Sequence, residues 1–289
     1  MLKVVLTAYM IQELDKHVPE LLEMDHVEAI VSYRGIIRDD LLKYPTVILI
    51  FVSMKVEVWS DIMCPFCYIG KHHLEAALKQ FDNAAAIELV WKSFQLDPTI
   101  PKGEKLGTVY QYLAASKGLG EDQAKEMTNN VANMALQAGL ELDFDHAVVA
   151  NSFDAHRLIH LAQAHQLGNA VKEKLFQAHF NEGKDIADPV VLTQIGEEAG
   201  LRRAEIDAML HSDQYAQAVE QDIQEARQIG VRGVPFFVFD RKYAISGAQP
   251  VAAFNQMLDK SFAEWQIAHP MVKLDVSEGP SCGTDGVCN

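Results

Sequence analysis

The pattern of apolar and polar residues is clearest between residues 55 and 94. Residues 55–59 form a strand-like run, and residues 87–94 alternate well enough to form a second strand. Between these runs, apolar residues recur at helical spacing, at Leu74, Ala77, Leu78 and Phe81. This helix follows the sequence Cys64-Pro65-Phe66-Cys67, where a proline suits the first turn because its missing N–H has no partner there. The pattern predicts a strand–helix–strand unit with two cysteines at its first junction.

The next hundred residues, from about Leu106 to Leu210, follow a helical pattern. A helix is expected to begin after Asp188-Pro189, an N-cap residue followed by a proline, and to stop at Gly200. A further helix is predicted near residues 215–229. One apolar stripe is predicted to face the core, and its members are Ala124, Met127, Val131, Met134 and Ala138.

Strand patterns return in the C-terminal part. Residues 236–239 and 243–245 are predicted as two strands joined by the polar turn Asp240-Arg241-Lys242, and a last helix is expected over residues 251–267. A β-α-β half and an α-β-β-α half each have too few strands to close a core, so we expect them to share one sheet. The fold class is therefore α/β, with a large all-helical insertion.

The predicted units follow from this division. A core domain is expected from residues 54–96 and 215–268, and the helical insertion domain is expected over residues 97–214. Residues 269–289 form a predicted flexible tail that carries two further cysteines. Residues 1–53 form an N-terminal extension with a predicted helix over residues 11–24 and a strand-like run over residues 46–52.

Composition narrows the class of protein. Apolar residues make up 49% of the 289-residue chain and charged residues 22%, so most of the chain is expected to fold. The 25 basic and 40 acidic residues give a net charge of −15, which repels phosphate backbones and argues against a nucleic-acid partner. No apolar run reaches the ~18 residues of a membrane-spanning helix, and the first residues lack the layout of a secretory signal. We therefore expect a cytoplasmic protein without a membrane partner.

The cysteine pair at the helix start carries the most specific chemistry. Two cysteines separated by two residues can bridge and form a reversible redox pair. The first sulfur faces the helix N-terminus, whose free N–H groups and dipole favour a thiolate, the species that attacks a disulfide. Cys64 is therefore the predicted nucleophile and Cys67 the resolving cysteine. The helix terminus is expected to lower the pKa of Cys64 by about one unit from ~8.5.

Metal binding is the competing interpretation of these residues. Cys64 and Cys67 could hold zinc together with Cys282 and Cys288, but the second pair has five intervening residues, more than the usual two to four. His156 and His160 also have the spacing of half a metal site, without a carboxylate or third ligand beside them. No metal site is predicted from these patterns.

Several segments together resemble the DsbA-like thioredoxin superfamily, and within it the FrnE-like dithiol–disulfide oxidoreductases. The resemblance runs from Met54 to about Phe254. Its departure within the active motif is Phe66, where this group more often has tryptophan. The segments that carry it are residues 60–70 (SDIMCPFCYIG), 94–98 (FQLDP), 155–158 (AHRL), 175–180 (LFQAHF), 230–238 (GVRGVPFFV) and 246–249 (SGAQ).

The resemblance implies a thioredoxin-like fold and a thiol–disulfide oxidoreductase or isomerase. It implies that Pro235 is cis and lies beside Cys64, where Val234 can pair with an extended substrate strand, and that Pro65 and Phe66 modulate the active site. The substrates would be protein or small-molecule disulfides. No cofactor is expected beyond the redox-active disulfide, with glutathione or a thioredoxin-type reductant as candidate electron donor.

A second enzyme class resembles the same architecture. The glutathione-dependent 2-hydroxychromene-2-carboxylate isomerases and kappa-type glutathione transferases typically have serine where Cys64 stands, and they need no resolving cysteine. The intact Cys64/Cys67 pair favours redox chemistry. The resemblance does not cover residues 1–53, which are either a small accessory unit or an extension upstream of a natural start at Met54. We favour the second, because the family pattern opens there.

Two further predictions concern parts of the chain outside the dithiol. The helical insertion leaves the sheet after Phe94 and returns before Pro235, so we expect it to form a lid over the dithiol and to set substrate choice. Cys282 and Cys288 are predicted to form a second redox pair that exchanges with Cys64 and Cys67, because the glycines between them allow the sulfurs to meet. The oligomeric state is left open.

Overall fold

A computed structural model describes residues 53–103 and 106–269, together with the backbone of three short strands nearer the N-terminus. These strands are β1 (Val5–Leu6), β2 (Ala29–Tyr33) and β3 (Val47–Phe51), and they form a parallel sheet in the order β1-β3-β2. β3 confirms the strand-like run predicted over residues 46–52. The helix predicted over residues 11–24 lies outside the described residues, as does the tail beyond His269.

A second sheet of four strands carries the rest of the fold. It contains β4 (Met54–Ser60), β5 (Ile87–Ser93), β6 (Phe236–Phe239) and β7 (Tyr243–Ser246), in the order β5-β4-β6-β7. β4 pairs in parallel with β5 and antiparallel with β6, which forms a hairpin with β7. The two halves of the chain therefore share one sheet, as predicted.

The helices occupy the predicted places. α1 follows β4, α2 to α7 lie between β5 and the return to the sheet, and α8 and α9 flank the hairpin. Their bounds are α1 (Pro65–Gln80), α2 (Val109–Lys117), α3 (Glu121–Gln137), α4 (Phe153–Ala164), α5 (Gly168–Phe180), α6 (Pro189–Glu198), α7 (Arg203–Leu210), α8 (Ala216–Gln228) and α9 (Val251–Ala268). Among the described helices, none is long and apolar enough to span a bilayer.

Alternation along β4 assigns its side chains to two faces of the sheet. Val58 lies with Phe237 on the face covered by α1 and α9, where the Phe237 ring meets that of Phe254 edge to face at 4.8 Å. Trp59 lies on the other face, where its indole N–H donates to the carbonyl of Asp222 in α8 at 2.9 Å. Both faces are covered, which explains why β4 is buried along nearly its whole length.

The free edge of β5 is covered by the insertion. The Gln163 side chain of α4 accepts a hydrogen bond from the backbone N–H of Trp91 at 2.7 Å and donates one to its carbonyl at 3.0 Å. The side-chain amide takes the place of a neighbouring strand and satisfies both backbone groups. The insertion is thus attached to the sheet directly beside the strand that pairs with β4.

The stripe predicted for α3 is correct except at Met134. Ala124 and Val131 are buried and Ala138 packs against the core, whereas Met134 is 46% exposed. Thr128 and Ala135 complete the buried face. The prediction considered apolar residues alone and therefore left out Thr128, whose hydroxyl donates to the Lys125 carbonyl within the helix.

Candidate active site

The dithiol lies at the turn between β4 and α1. The N–H of Cys64 donates to the carbonyl of Asp61 at 3.2 Å, and Cys64 is the N-cap of α1 with Pro65 in the first turn. The N–H of Cys67 donates to the Cys64 carbonyl at 3.0 Å. This placement at the helix start is as predicted. Both cysteines are free thiols, and both are buried.

The loop before β6 closes over the first cysteine. The Val234–Pro235 peptide bond is cis, and the thiol of Cys64 donates to the Val234 carbonyl at 3.5 Å. The conformation and position implied for Pro235 are therefore confirmed. Gly70 allows this approach, because a Cβ there would lie 3.0 Å from the Pro235 ring and 3.1 Å from the Phe237 ring.

The surroundings of Cys64 do not lower its pKa. The side chain of Cys67 and burial both raise the pKa of the Cys64 thiol, and the nearby Asp61 carboxylate adds to this effect. The backbone N–H of Cys67 acts in the opposite direction but is outweighed. The prediction of a pKa lowered by about one unit is therefore wrong, because it considered the helix terminus and left out burial and the neighbouring sulfur.

A buried carboxylate lies beside the dithiol turn. Asp61 is 1% exposed and accepts hydrogen bonds from the N–H groups of Leu96, at 2.7 Å, and Met63, at 3.4 Å. Burial alone would raise the pKa of Asp61, but nearby His156 and the Leu96 N–H more than offset it, and the pKa lies below its ordinary value. Asp61 is therefore ionised at neutral pH.

His156 of α4 faces this carboxylate. Its Nε2 lies 3.4 Å from an oxygen of Asp61 in a geometry too poor for a hydrogen bond, and no other partner is present in the described part of the chain. Burial lowers the pKa of His156 despite the carboxylate. His160, one turn later, lies 3.0 Å from Asp222 and 3.1 Å from the Ser93 hydroxyl. The two histidines therefore lie beside different carboxylates, His156 beside Asp61 and His160 beside Asp222.

Lys172 of α5 places a cation near the dithiol. It is 1% exposed, its Nζ lies 3.5 Å from the Ser60 carbonyl, and no carboxylate pairs with it within the described residues. The ammonium stands 5.0 Å from the ring centre of Phe176, on which the ring of Tyr68 stacks. Burial lowers the pKa of Lys172 to about 8, while Cys67, Asp61 and Cys64 each act to raise it.

A cavity of about 670 Å³ adjoins Cys64. On the side of the sheet its wall contains Cys64, Phe66 and Val234. The opposite wall comes from the insertion, namely from α2, α3, the segment 144–150 and the end of α5. The insertion therefore lies against the dithiol, and its effect on substrate choice stays a prediction. Phe66 is 36% exposed at the edge of this site.

A group of possible metal ligands lies further along α1. His72, Glu75 and Glu173 present ligand atoms within 4.8 Å of one another. The Lys71 ammonium already contacts Glu75 at 2.7 Å and Glu173 at 2.6 Å. A cation of the protein itself thus neutralises this group, which makes it a poor site for a metal ion.

Sequence reasoning missed three buried polar residues of the site. Asp61 could have been recognised, since it lies three residues before Cys64 in a segment that carries the resemblance. His179 had the same kind of signal, because it lies in the segment 175–180 that also carries the resemblance. Lys172 had none, because it lies on an amphipathic helix where a polar residue is normally expected to face water. Cys282 and Cys288 lie outside the described residues, and their proposed exchange with the dithiol stays a prediction.

The chain matches the model of the DSBA-like thioredoxin domain over residues 55–259, and this span includes both cysteines and the Val234–Pro235 loop. The chain belongs to this DsbA-like family. A solved structure, a probable DsbA oxidoreductase, SCO1869, from Streptomyces coelicolor, is 35% identical, with a TM-score of 0.69 over 82% of this chain and 98% of that one.

Two other similarities are informative. An uncharacterized protein, YwbO, of Bacillus subtilis (strain 168) is 26% identical over 219 residues, which cover 74% of this chain and 98% of the relative. A 2-hydroxychromene-2-carboxylate isomerase has 16% identity and a TM-score of 0.50 over 76% of this chain and 100% of its own. The second of these shows a shared fold alone. The thioredoxin-like α/β fold implied by the sequence is therefore confirmed.

Proposed function

We propose that the Cys64/Cys67 pair performs thiol–disulfide exchange on disulfide-bearing substrates. The observation that carries this proposal is the position of Cys64, at the start of α1, in the wall of the cavity and 3.5 Å from the Val234 carbonyl. Membership of the DsbA-like family supports the same reaction type. FrnE-like activity is the finer form of the proposal, and it rests on the resemblance of the cysteine motif and the segments around it.

The two sulfurs differ in whether a substrate in the cavity can reach them. Cys64 lines the cavity, whereas Cys67 lies one turn deeper, is 1% exposed and does not line it. In thiol–disulfide exchange the attacking sulfur must reach a sulfur of the substrate, so access decides which cysteine reacts first. Cys64 is therefore the proposed nucleophile and Cys67 the resolving cysteine.

The reaction proceeds in two exchanges. The Cys64 thiolate attacks one substrate sulfur, forms a Cys64–substrate disulfide and releases the other substrate sulfur as a thiolate, which takes up a proton. Cys67 then loses its proton and attacks the Cys64 sulfur, which releases the second substrate thiol and leaves a Cys64–Cys67 disulfide. Two electrons pass from the dithiol to the substrate, and a thiol reductant must return them.

The cis-proline loop provides the proposed substrate platform. The backbone of Val234 lies directly beside Cys64, where an extended segment of a substrate can pair with it while the mixed disulfide exists. Phe66, which lies between the two cysteines in sequence, lines the cavity and has no charge. We propose that Val234 and Pro235 bind substrate and that Pro65 and Phe66 modulate the pair.

The Cys64→Ser and Cys67→Ser variants test this mechanism with insulin reduction and refolding of scrambled ribonuclease. Cys64→Ser is expected to abolish both activities. Cys67→Ser should keep the first attack and accumulate a mixed disulfide, which mass spectrometry of the intact protein detects. A glutathione-dependent isomerase would need no resolving cysteine, so full turnover in Cys67→Ser would favour that alternative. Activity that survives Cys64→Ser would refute the proposal.

A further inference from the structure

The cavity beside Cys64 is built for a particular kind of substrate. Its volume of about 670 Å³ lies within the ~300–1,000 Å³ typical of small-molecule sites. Apolar side chains dominate both walls, among them Phe66 and Val234 on the side of the sheet and Val131, Phe144 and Phe180 on the side of the insertion. Helices of the insertion form one whole side, so a folded protein surface cannot fill the interior, whereas a small molecule can.

Most polar side chains in the wall already bond to the protein, although the Nδ1 of His179 has no partner among the described residues. The hydroxyl donors are used internally, so the wall offers few donors to the carbonyl and carboxylate oxygens of a peptide such as glutathione. The occupied groups are Tyr112, whose hydroxyl donates to Asp97 at 2.8 Å, Thr128, whose hydroxyl donates to the Lys125 carbonyl at 2.9 Å, Ser116, whose hydroxyl donates to the Leu113 carbonyl at 3.3 Å, and Asp61, which accepts from the Leu96 N–H at 2.7 Å.

The charges of the wall disfavour an anion. Asp61 and Asp97 both line the cavity, and hydrogen bonds from Thr99 help to hold the pKa of Asp97 below its ordinary value. Burial lowers the pKa of His179 to about 4, so this lining residue is neutral at pH 7. Lys117, an exposed residue, supplies a single positive charge against two carboxylates. A ligand with two carboxylates would meet net repulsion.

We infer that this cavity binds the body of a neutral, apolar disulfide of low molecular weight and presents its sulfur to Cys64. This inference rests on the proposed function and names a substrate class for it. The chemistry is the exchange described above, in which two electrons pass from the dithiol to the substrate and two substrate thiols leave. A single turnover of the reduced protein needs no other reductant.

Three disulfides separate apolar recognition from intrinsic reactivity. Dithiodipyridine is neutral and aromatic, hydroxyethyl disulfide is neutral and polar, and glutathione disulfide is anionic. Each disulfide is mixed with the reduced full-length protein, the reaction is quenched with N-ethylmaleimide, and oxidation of the protein is followed by its intact mass. The rate for each disulfide is then divided by the rate at which dithiothreitol reduces the same disulfide, which removes its intrinsic reactivity. The normalised rate for dithiodipyridine is expected to exceed the other two by about tenfold or more, the factor that burial of one aromatic ring supports.

A filled cavity should remove this preference. Val131→Phe places a ring in the wall, while Met134→Phe makes a similar change on the same helix at a residue that is 46% exposed and does not line the cavity. The preference for dithiodipyridine should fall by about tenfold in Val131→Phe and stay unchanged in Met134→Phe. An unchanged preference in a folded Val131→Phe variant would overturn the inference.

A measurement on the unmodified protein covers the case in which Val131→Phe fails to fold. Diphenylmethane, an apolar molecule without a disulfide, should slow alkylation of Cys64 by iodoacetamide, and S-methylglutathione should not. Equal alkylation rates with and without diphenylmethane would refute the cavity site. If all three disulfides react at equal normalised rates and Cys64→Ser abolishes the reaction, the proposed function holds and the cavity inference fails. If Cys64→Ser still reacts, both fail.

Discussion

Replacement of Lys172 by methionine should stabilise the protein and weaken its chemistry. Lys172 is 1% exposed, its ammonium has no carboxylate partner in the described part of the chain, and its one hydrogen bond, to the Ser60 carbonyl, is long at 3.5 Å. Methionine keeps the length and flexibility of the side chain and can fill the same space between the Trp91 and Phe176 rings. The variant therefore removes a buried charge with little loss of packing.

The pKa of Lys172 gives the size of the expected stabilisation. Burial lowers that pKa from 10.5 to about 8, and each pKa unit corresponds to about 1.4 kcal/mol, so the ammonium costs the folded state roughly 3 kcal/mol at pH 7. Between pH 8 and pH 10.5 the unfolded chain binds more protons at this residue than the folded chain. The stability of the wild type therefore rises with pH across this window relative to the variant.

Urea unfolding of both proteins from pH 7 to pH 11 checks this expectation. Lys172→Met should have a free energy of unfolding about 3 kcal/mol above the wild type at pH 7, and the difference should vanish above pH 10.5. Subtraction of the two curves cancels the cysteines and tyrosines that titrate in the same range. A variant that is no more stable than the wild type at pH 7, or whose higher free energy of unfolding persists to pH 11, would show that the Lys172 charge does not destabilise the folded protein.

Lys71→Met is the matched control, since Lys71 is 2% exposed but pairs with Glu75 and Glu173 at 2.7 and 2.6 Å. Loss of this ammonium leaves two carboxylates without their partner, so the variant should be less stable than the wild type. Lys172→Met should also slow iodoacetamide alkylation of Cys64 at pH 7, because the thiolate loses its nearby cation. Lys71→Met should leave that rate within about twofold of the wild type.

Three further predictions concern the turn and the edge of the sheet. Phe66→His adds a group that can stabilise a thiolate, so a glutathione redox titration should show a more oxidising pair; an unchanged or more reducing potential would contradict this. Asp61→Asn removes a carboxylate that raises the pKa of Cys64, so alkylation should be faster at pH 7. The same variant should lose about 1–3 kcal/mol of stability at pH 7, and since the pKa of Asp61 lies below 3.8, this loss should shrink as the pH falls beneath that value. Gln163→Leu leaves the N–H and carbonyl of Trp91 without partners and should cost about 1–3 kcal/mol in urea unfolding, with Cys64 reactivity unchanged.

The fold could be predicted wherever local pattern and final burial agree. β4 was predictable from its strand-like run and β5 from its alternation. The Asp188–Pro189 start of α6 was predictable because an N-cap followed by proline depends on neighbouring residues alone. The cysteine turn was predictable for the same reason, since Pro65 fits the first turn of a helix. The shared sheet followed from counting strands in each half.

The electrostatics of the site could not be predicted from the sequence. The pKa of Cys64 depends on burial and on Cys67 and Asp61, and these contacts arise only when the turn folds under the loop of Val234. The inward position of Lys172 depends on how α5 packs against the sheet. The cavity could not be predicted for the same reason. Its walls come from helices that are far apart in sequence, and the apolar periodicity of each helix does not indicate how they pack against one another.

A redox titration shows whether Cys64 and Cys67 form a redox pair in the full-length protein. The full-length protein is equilibrated with buffers that contain reduced and oxidised glutathione in graded ratios, then quenched in acid, alkylated and digested. The mass of the peptide that contains Cys64 and Cys67 is measured by mass spectrometry. The account predicts one two-electron transition in which this peptide loses two hydrogens and forms an internal disulfide. If both cysteines stay free thiols in every buffer, the pair is not a redox centre and the proposed exchange reaction is wrong.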